Sequence, residues 1–492
     1  MWHIGKLDQK EIGRCCYDNA FRYFSALVMS KLVSAGHDSL SPVSDRFSHS
    51  FDDLCNISQD MLTYAKQRGA SAAAVEVSEG FGQGVTVRNR EVETIEYNRD
   101  KGLGITAYFG QKRGNASTSD FSPKAVRDTV DAALSIARYT ASDSCSGLPD
   151  PEMLASDSVD LELYHPWDLP VEQAIALATE CEQSALDVDK RISNSEGATV
   201  NLHEMQFVHA NSLGFIGGYS SSRHSVSCAV IAGLGDTMER DYWYSVARDA
   251  RDIVEVQQIG RLAAERTVRR LHARQINTMQ IPVLLEAPVA SSLLGHFAGA
   301  VSGGSLYRKS SFLLDQIGNT IFAPHISIDD VPDVRKGLGS SPFDNEGVRV
   351  QRRTIVENGV LNGYFLSSYS ARKLGMCTTG NAGGNHNLIL RSVGGKSGAP
   401  DFDKLLKLMG RGLVVTELLG HGINPVTGDY SRGAAGFWVE DGEIQYPVNE
   451  ITIAGNLKDM FCNIIAVGND VLVQGSRQCG SILLDGLTVA GR

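Results

Sequence analysis

The sequence predicts an α+β fold in which helix–antiparallel sheet–helix units lead into a larger strand-rich C-terminal domain. Three observations carry that prediction. Helical apolar spacing recurs at separated places, near residues 54–65, 126–137 and 174–185. Alternating, Gly-bearing stretches lie between them. Two turn pairs, Asn358-Gly359 and Asp441-Gly442, sit between strand-like runs and supply the positive φ angles of type I′ hairpins. A doubly wound sheet would need regular βαβ alternation, and the order of elements lacks it.

Taken in order, residues 1–50 mix Ser, His and Asp into short apolar pieces. They read as an N-terminal extension, either disordered or an artefact of the start site. Regularity begins at Ser50, where Leu54, Ile57, Met61, Leu62 and Ala65 repeat at helical spacing as far as Gly69. Four short strands are expected at 74–78, 84–89, 91–97 and 104–109, separated by Gly-bearing turns. Ser122 then caps a helix with Pro123 in its first turn, where a missing N–H costs nothing. The polar stretch 140–151 ends a first domain over 51–145. A central domain, 160–275, opens with a helix after Pro170 whose buried stripe includes Ala174, Ala178, Cys181 and Ala185. Alternating segments around 200–209 and 221–231 follow, then a helix near 253–271. The third domain, 280–492, holds both hairpins, expected at 354–365 and 437–448, and a helix from Pro288.

Composition excludes several classes. The 492 residues carry 46 Lys plus Arg against 57 Asp plus Glu, a net charge of −11, which argues against direct nucleic-acid binding. No apolar run reaches the ~20 residues that span a bilayer, so no membrane association is expected. The nine cysteines form no C-x-x-C pair, which fits a reducing cytoplasm.

Few motifs survive a geometric test. His203, Glu204 and His209 look metalloprotease-like, but the histidines are six apart rather than four. On a strand that spacing is about 20 Å, too far for one zinc. Gly394-Gly395-Lys396-Ser397 lacks the first Gly of a phosphate loop and reads as a turn. Ser370 and Lys373 match Ser-x-x-Lys, with none of the other elements of that chemistry nearby. Gly295, Gly299 and Gly303 repeat at i, i+4 and i+8 with His296 among them. A mid-helix Gly costs about 1 kcal/mol relative to Ala, so close approach of another backbone is expected there. Cys181 and Cys228 read as small buried hydrophobes. Cys479, in a polar Gly-Ser-Arg-Gln-Cys-Gly-Ser context, reads as a loop thiol that is either inert, a ligand or a nucleophile.

Several longer runs resemble the PmbA (TldE) proteins of the TldD/PmbA metalloprotease family. They are Gly303–Ser310 (Gly-Gly-Ser-Leu-Tyr-Arg-Lys-Ser), Ser341–Gly347, Ser367–Gly375, Thr427–Trp438 and Ile453–Lys458, joined by Met238-Glu239-Arg240-Asp241-Tyr242. The resemblance covers the chain from about Asp52 to its end. It implies an α+β fold, a cytoplasmic bacterial protein and one half of a TldD/TldE protease. It further implies cleavage of unfolded or leader-type peptides, as in microcin maturation and antitoxin degradation. In the TldD partner a H-E-x-x-x-H helix and a cysteine near the C-terminus hold the metal. Counting back from Gly303-Gly304 puts Leu294 and Gly299 at the two histidines and Gly295 at the glutamate. Only Cys479 matches a ligand position.

The resulting expectation is a non-zinc subunit of a two-component metallopeptidase. No catalytic residue, metal or cofactor is expected in this chain; zinc is expected in the TldD-like partner, and peptides or unfolded proteins are the substrates. Tyr430, Ser431, Arg432 and Gly433 are the expected substrate- or partner-facing surface, and Gly295, Gly299 and Gly303 a closely packed relic of a catalytic helix. The alternative is a non-catalytic homodimer that binds peptides or regulates.

Overall fold

A computed structural model describes residues 46–156, 159–392 and 399–491. The expectations for residues 1–45 and for the turn at Gly394–Ser397 lie outside the described residues. The first helix, α1 (Phe51–Gln67), starts on Ser50: its hydroxyl accepts from the Asp53 N–H, and the Asp53 carboxylate accepts from the Ser50 N–H. Two long strands follow, β1 (Ala72–Arg88) and β2 (Glu91–Phe109), then β3 (Lys112–Thr118) and α2 (Pro123–Tyr139). Ser122 caps α2 as expected.

The four short strands expected here are two long ones. Gly80, Gly82 and Gly84 lie inside β1, hydrogen-bonded to β2 on one side and to β4 on the other. A ladder on both edges outweighs the entropic cost of glycine in a strand, and local turn signals lose to it.

Next come α3 (Val171–Leu186), β4 (Ile192–Asn211), β5 (Ile216–Ala232), β6 (Glu239–Ala247) and α4 (Val256–Arg269). The six strands make one antiparallel sheet in the order β3-β2-β1-β4-β5-β6. The β1–β4 ladder, from Ala74↔Asn211 to Val87↔Ala198, therefore fuses the strands of the first and central regions. One face of this sheet is covered twice. Helices α1 and α2 bury Val75, Val77 and Leu103 at one end, and α3 and α4 bury Val85, Val200 and Val226 at the other. Between the two cores runs a polar seam of Glu79, Gln83, Glu204 and Gln206, all buried. Buried carboxylates need partners. The segment leading into α1 supplies them, with His49 Nδ1 2.6 Å from Glu79 and Arg46 paired to Glu204.

The remaining chain begins with β7 (Met279–Leu285), α5 (Ala287–Ala300), α6 (Gly303–Tyr307), β8 (Ile326–Val331), β9 (Arg353–Glu357) and β10 (Val360–Leu361). It continues through α7 (Ser368–Leu374), β11 (Asn387–Ser392), α8 (Phe402–Met409), β12 (Gly412–Leu419), β13 (Asp429–Glu440) and β14 (Glu443–Asn456). It closes with α9 (Leu457–Cys462), β15 (Ile464–Val467), β16 (Arg477–Gln478) and β17 (Ile482–Ala490). Two sheets result, β14-β13-β12-β7-β17-β15 and β10-β9-β8-β11-β16. Leu293, Leu294 and Phe297 of α5 share one core with Val283, Leu285 and Val415 of the first sheet and Ile328, Ile355 and Leu388 of the second. Alternation sends Leu284 and Val414 to the other face, where α8 covers them.

Both hairpin turns form, with φ of 48° and 82° at Asn358-Gly359 and 53° and 75° at Asp441-Gly442. The first hairpin is shorter than expected. Its second strand stops at Leu361: Asn362 N–H adds a last ladder bond to the Ile355 carbonyl, while the Leu361 N–H on the outer edge donates to the Asn319 carbonyl. The fold is α+β, as the periodicities predict. No helix among the described residues is long and apolar enough to cross a membrane.

Candidate functional site

Strand β6 is the outermost strand of its sheet: β5 pairs with one edge, and no strand among the described residues pairs with the other. Asp241, Tyr242, Trp243 and Tyr244 of β6 form one wall of a cleft of about 250 Å³. The opposite wall comes from the C-terminal domain, with Val289 and Ser292 of α5, Thr416, Glu417 and Leu418 of β12, and Arg432 of β13. A β-bulge between Val415 and Glu417 breaks the β12–β13 register and leaves Thr416 without a cross-strand partner. Gln474 reaches across and donates to the Tyr244 carbonyl at 2.9 Å, so backbone of β6 presents acceptors on this side.

An ion network ties the two walls together. Arg266 on α4 and Arg270 at its C-cap lie one turn apart and point the same way. Arg266 Nη1 donates to both oxygens of Glu286, at 2.9 and 3.0 Å, and its Nε lies 3.4 Å from Asp241. Arg270 meets Glu417 at 2.5 Å, Glu239 at 3.5 Å and Asp241 at 3.6 Å. Burial raises the pKa of Glu286, and the Arg266 guanidinium pulls it part of the way back.

Arg432 is different. Its Nη2 donates to the Leu418 carbonyl at 3.3 Å, its Nε is buried without a partner, and no carboxylate pairs with it among the described residues. Ser292 Oγ and Thr416 Oγ1 in the same cleft are also buried without partners. Arg266 Nε, 3.4 Å from Asp241, makes no well-formed hydrogen bond either; buried polar groups are nearly always satisfied, so this group of atoms around one cleft needs an explanation.

Behind Arg432 the site is electropositive. The Tyr430 ring is 1% exposed and packs edge-on to His296, centroids 6.0 Å apart. Burial raises Tyr430 to about 12, and the neighbouring Arg432 opposes that shift, although the hydroxyl makes no well-formed hydrogen bond. Burial lowers His296 to about 4, reinforced by the charges of Arg432 and Arg477, so its imidazole is neutral at pH 7.

The residues expected to form one surface therefore separate. Strand β13 is hydrogen-bonded on both edges here, to β14 on one side and on the other to the segment at Gly422–Asn424 and then β12, so no peptide can add to it there. Tyr430 is core, Ser431 is exposed on the opposite side of the strand, and Arg432 alone of the four lines the cleft. The glycine stripe also separates. A Cβ on Gly295 would lie 2.9 Å from Arg477 Nη1, and one on Gly303 would lie 2.2 Å from Ser370 Oγ. These are side-chain rather than backbone contacts, and Gly303 begins α6 instead of continuing α5. A Cβ on Gly299 would meet nothing within 4 Å. The expectation of close packing fails at Gly299, because it lies on the exposed side of α5. Gly299→Ala is accordingly expected to raise the unfolding free energy by about 0.5 kcal/mol, read from a urea titration.

Other candidates resolve into structure. Cys479 is core, 1% exposed, and burial raises its thiol to about 12 with help from Asp470. The polar sequence around it misled, since Cys479, Gly480 and Ser481 are all buried where the segment enters β17. Cys181 and Cys228 are buried, as expected of small hydrophobes. Ser370 closes a capping box with Ser367 at the start of α7, and Lys373 pairs with Asp143 at 2.9 Å. His203 is exposed on β4, while His209 is buried beside a separate cavity of about 410 Å³ on the open face of the first sheet. Ser292, Thr416, Trp243 and Gln474 had no motif to announce them. The aromatic run after Met238 was the nearest signal.

Known proteins supply the context for this cleft. Three domains of the PmbA/TldA metallopeptidases match in register: domain 1 at residues 73–137, the central domain at 164–271 and the C-terminal domain at 278–491. The chain is 50% identical over 431 residues to "Metalloprotease PmbA" of Escherichia coli O157:H7, covering 88% of this chain and 94% of that protein. It is 23% identical over 383 residues to a "Metalloprotease TldD homolog" of Haemophilus influenzae, covering 73% and 77%. A crystal structure of a putative modulator of DNA gyrase from Bacteroides thetaiotaomicron superposes with a TM-score of 0.83 at 28% identity, over 90% of this chain and 99% of that one. On this evidence of sequence and fold together, the chain belongs to the PmbA/TldD family of metallopeptidases, as a PmbA/TldE-type member.

Proposed function

We propose that this chain is the PmbA/TldE-type subunit of a two-component cytoplasmic metallopeptidase, that a TldD-like partner carries the zinc, and that unfolded or leader-type peptides are the substrates. The single observation that carries the reading is the cleft itself. It sets a strand edge with no neighbouring strand among the described residues opposite unpartnered donors. A protease accepting many sequences has to hold main chain, and strand addition to an edge does so through backbone hydrogen bonds. Strand β6 offers that edge, with Tyr242, Trp243 and Tyr244 beside it.

The residues present here do not fit a zinc ion. Catalytic zinc takes three protein ligands and keeps one position open. His296 is a single imidazole between two guanidiniums, which repel a dication, and Cys479 is a protonated core thiol. Among the described residues no group of three His, Cys, Asp or Glu side chains is placed to hold a metal ion. The part assigned to this chain is therefore to hold and orient peptide, to exclude water from the closed chamber, and to complete the partner's site.

Mixing the purified chain with a TldD-like subunit tests the reading. Peptide hydrolysis by the mixture is expected to exceed that of the TldD-like subunit at least tenfold, with zinc recovered in the partner when the subunits are resolved. Activity equal to that of the partner alone would leave the homodimeric peptide-binding alternative standing.

A further inference from the structure

The cleft carries more information than an open strand edge. The buried groups that make no hydrogen bond are all donors or donor-capable: Arg432 Nε, Arg266 Nε, Ser292 Oγ and Thr416 Oγ1. The other charges lining it are already spoken for. Arg266 is held by Glu286 and Asp241, and Glu417 by Arg270. Immediately behind, Arg477 adds a second guanidinium without a carboxylate partner among the described residues, packed where a side chain on Gly295 would stand. A neutral imidazole, His296, separates no charge from them. The carboxylates around the cleft, Asp241, Glu239, Glu286 and Glu417, all pair with Arg266 or Arg270, which leaves the positive charge of Arg432 uncompensated there.

A guanidinium in a partly dry cleft with two hydroxyls at hand matches a carboxylate in charge, and its planar fork matches it in shape. Leaving such a cation unpaired is costly, so a protein keeps it where a ligand completes it. We infer that this cleft takes a carboxylate of the bound peptide on Arg432, with Ser292 and Thr416 donating to its oxygens. The carboxylate comes either from the peptide's C-terminus or from an acidic side chain. The inference deepens the subunit reading and rests on the same cleft, but a peptide-binding homodimer would share it.

The test uses the full chain, alone and with the TldD-like subunit, and three fluorescent peptides of about ten residues with no structure of their own. One ends in a free carboxylate and has no acidic side chain, one is its amide, and one is the amide with a single internal Glu. The free acid, the Glu peptide or both are expected to bind roughly 10- to 100-fold more tightly than the plain amide, the worth of a charge-assisted hydrogen-bonded contact. Which of them gains tells the terminus from the side chain. In Arg432→Gln that preference is expected to fall within about 3-fold of unity. The variant Ser292→Ala/Thr416→Val keeps the cation and is expected to reduce the preference several-fold, so a folding defect in Arg432→Gln leaves the test intact. Equal binding of acid and amide, a preference that survives both variants, or no saturable binding of any of the three peptides overturns the inference. The subunit reading fails separately, if the chain does not raise its partner's activity on any of them.

Discussion

Arg266→Met is expected to destabilise the protein by about 3 kcal/mol, measured as the shift in the urea midpoint at an unchanged m-value. Arg266 is mostly buried, and so are its partners Asp241 and Glu286. Methionine fills the stem's volume but leaves two carboxylates facing each other in a dry wall. Asp241 keeps Arg270 at 3.6 Å, whereas Glu286 keeps no cation among the described ion pairs. The double variant Arg266→Met/Glu286→Met removes the stranded charge and is expected to recover at least half of the loss, a coupling of about 2 kcal/mol. The pH dependence has a definite sign. Burial raises Glu286 above its unfolded pKa, so its proton favours the folded state. Stability linked to it is present below the unfolded carboxylate pKa and is lost as pH rises through the folded one. Without Arg266 that rise is larger, and the deficit of Arg266→Met should narrow as the solution is acidified towards the carboxylate range. A deficit that stays constant with pH would show that Arg266 acts through packing against Trp243, 5.1 Å from its ring, and not through charge.

The network also explains which parts of the molecule were legible in sequence. Helices with a buried stripe and a cap, such as the one beginning at Ser122 and Pro123, are local: the apolar period and the capping residue lie within about 20 residues of one another. The two hairpin turns are local as well, since Asn-Gly and Asp-Gly fix φ without outside help. The length of β1 was not legible. Its three glycines signal turns, and only the pairing with β4, more than 100 residues later, holds them extended. The cleft lies beyond that horizon too. Ser292, Thr416 and Arg432 sit on three separate elements, and nothing in their local sequence states that they face β6. A Gly-rich stretch beside the second hairpin drew attention to Tyr430–Gly433, but strand alternation decides that Arg432 turns to the cleft and Ser431 away from it. Glycine spacing misled for a related reason. A stripe at i, i+4 and i+8 states that a helix face is smooth, not that anything lies against it.

Close helix packing does occur, at a glycine with no stripe around it. Gly260→Ala is expected to cost about 2 kcal/mol, in contrast to the gain expected for Gly299→Ala. A Cβ on Gly260 would lie 2.0 Å from the Cys181 carbonyl oxygen and 3.0 Å from the Ala185 backbone nitrogen. Those atoms belong to the backbone of α3 and cannot rotate away. Alanine would add about 1 kcal/mol of helix propensity, but α3 and α4 would have to part by about an ångström to admit it. Parting them opens the small-residue interface of Ala174, Ala178, Ala263 and Ala264, all fully buried, and the lost contacts exceed the propensity gain. The same movement reaches the cleft. Arg266 lies six residues beyond Gly260 on α4, about 9 Å along the helix, and a shifted α4 carries its guanidinium away from Glu286. Thermal unfolding of the two alanine variants side by side separates the cases. Midpoints moving in the same direction would mean that helix propensity, rather than backbone contact, sets the value of glycine in this protein.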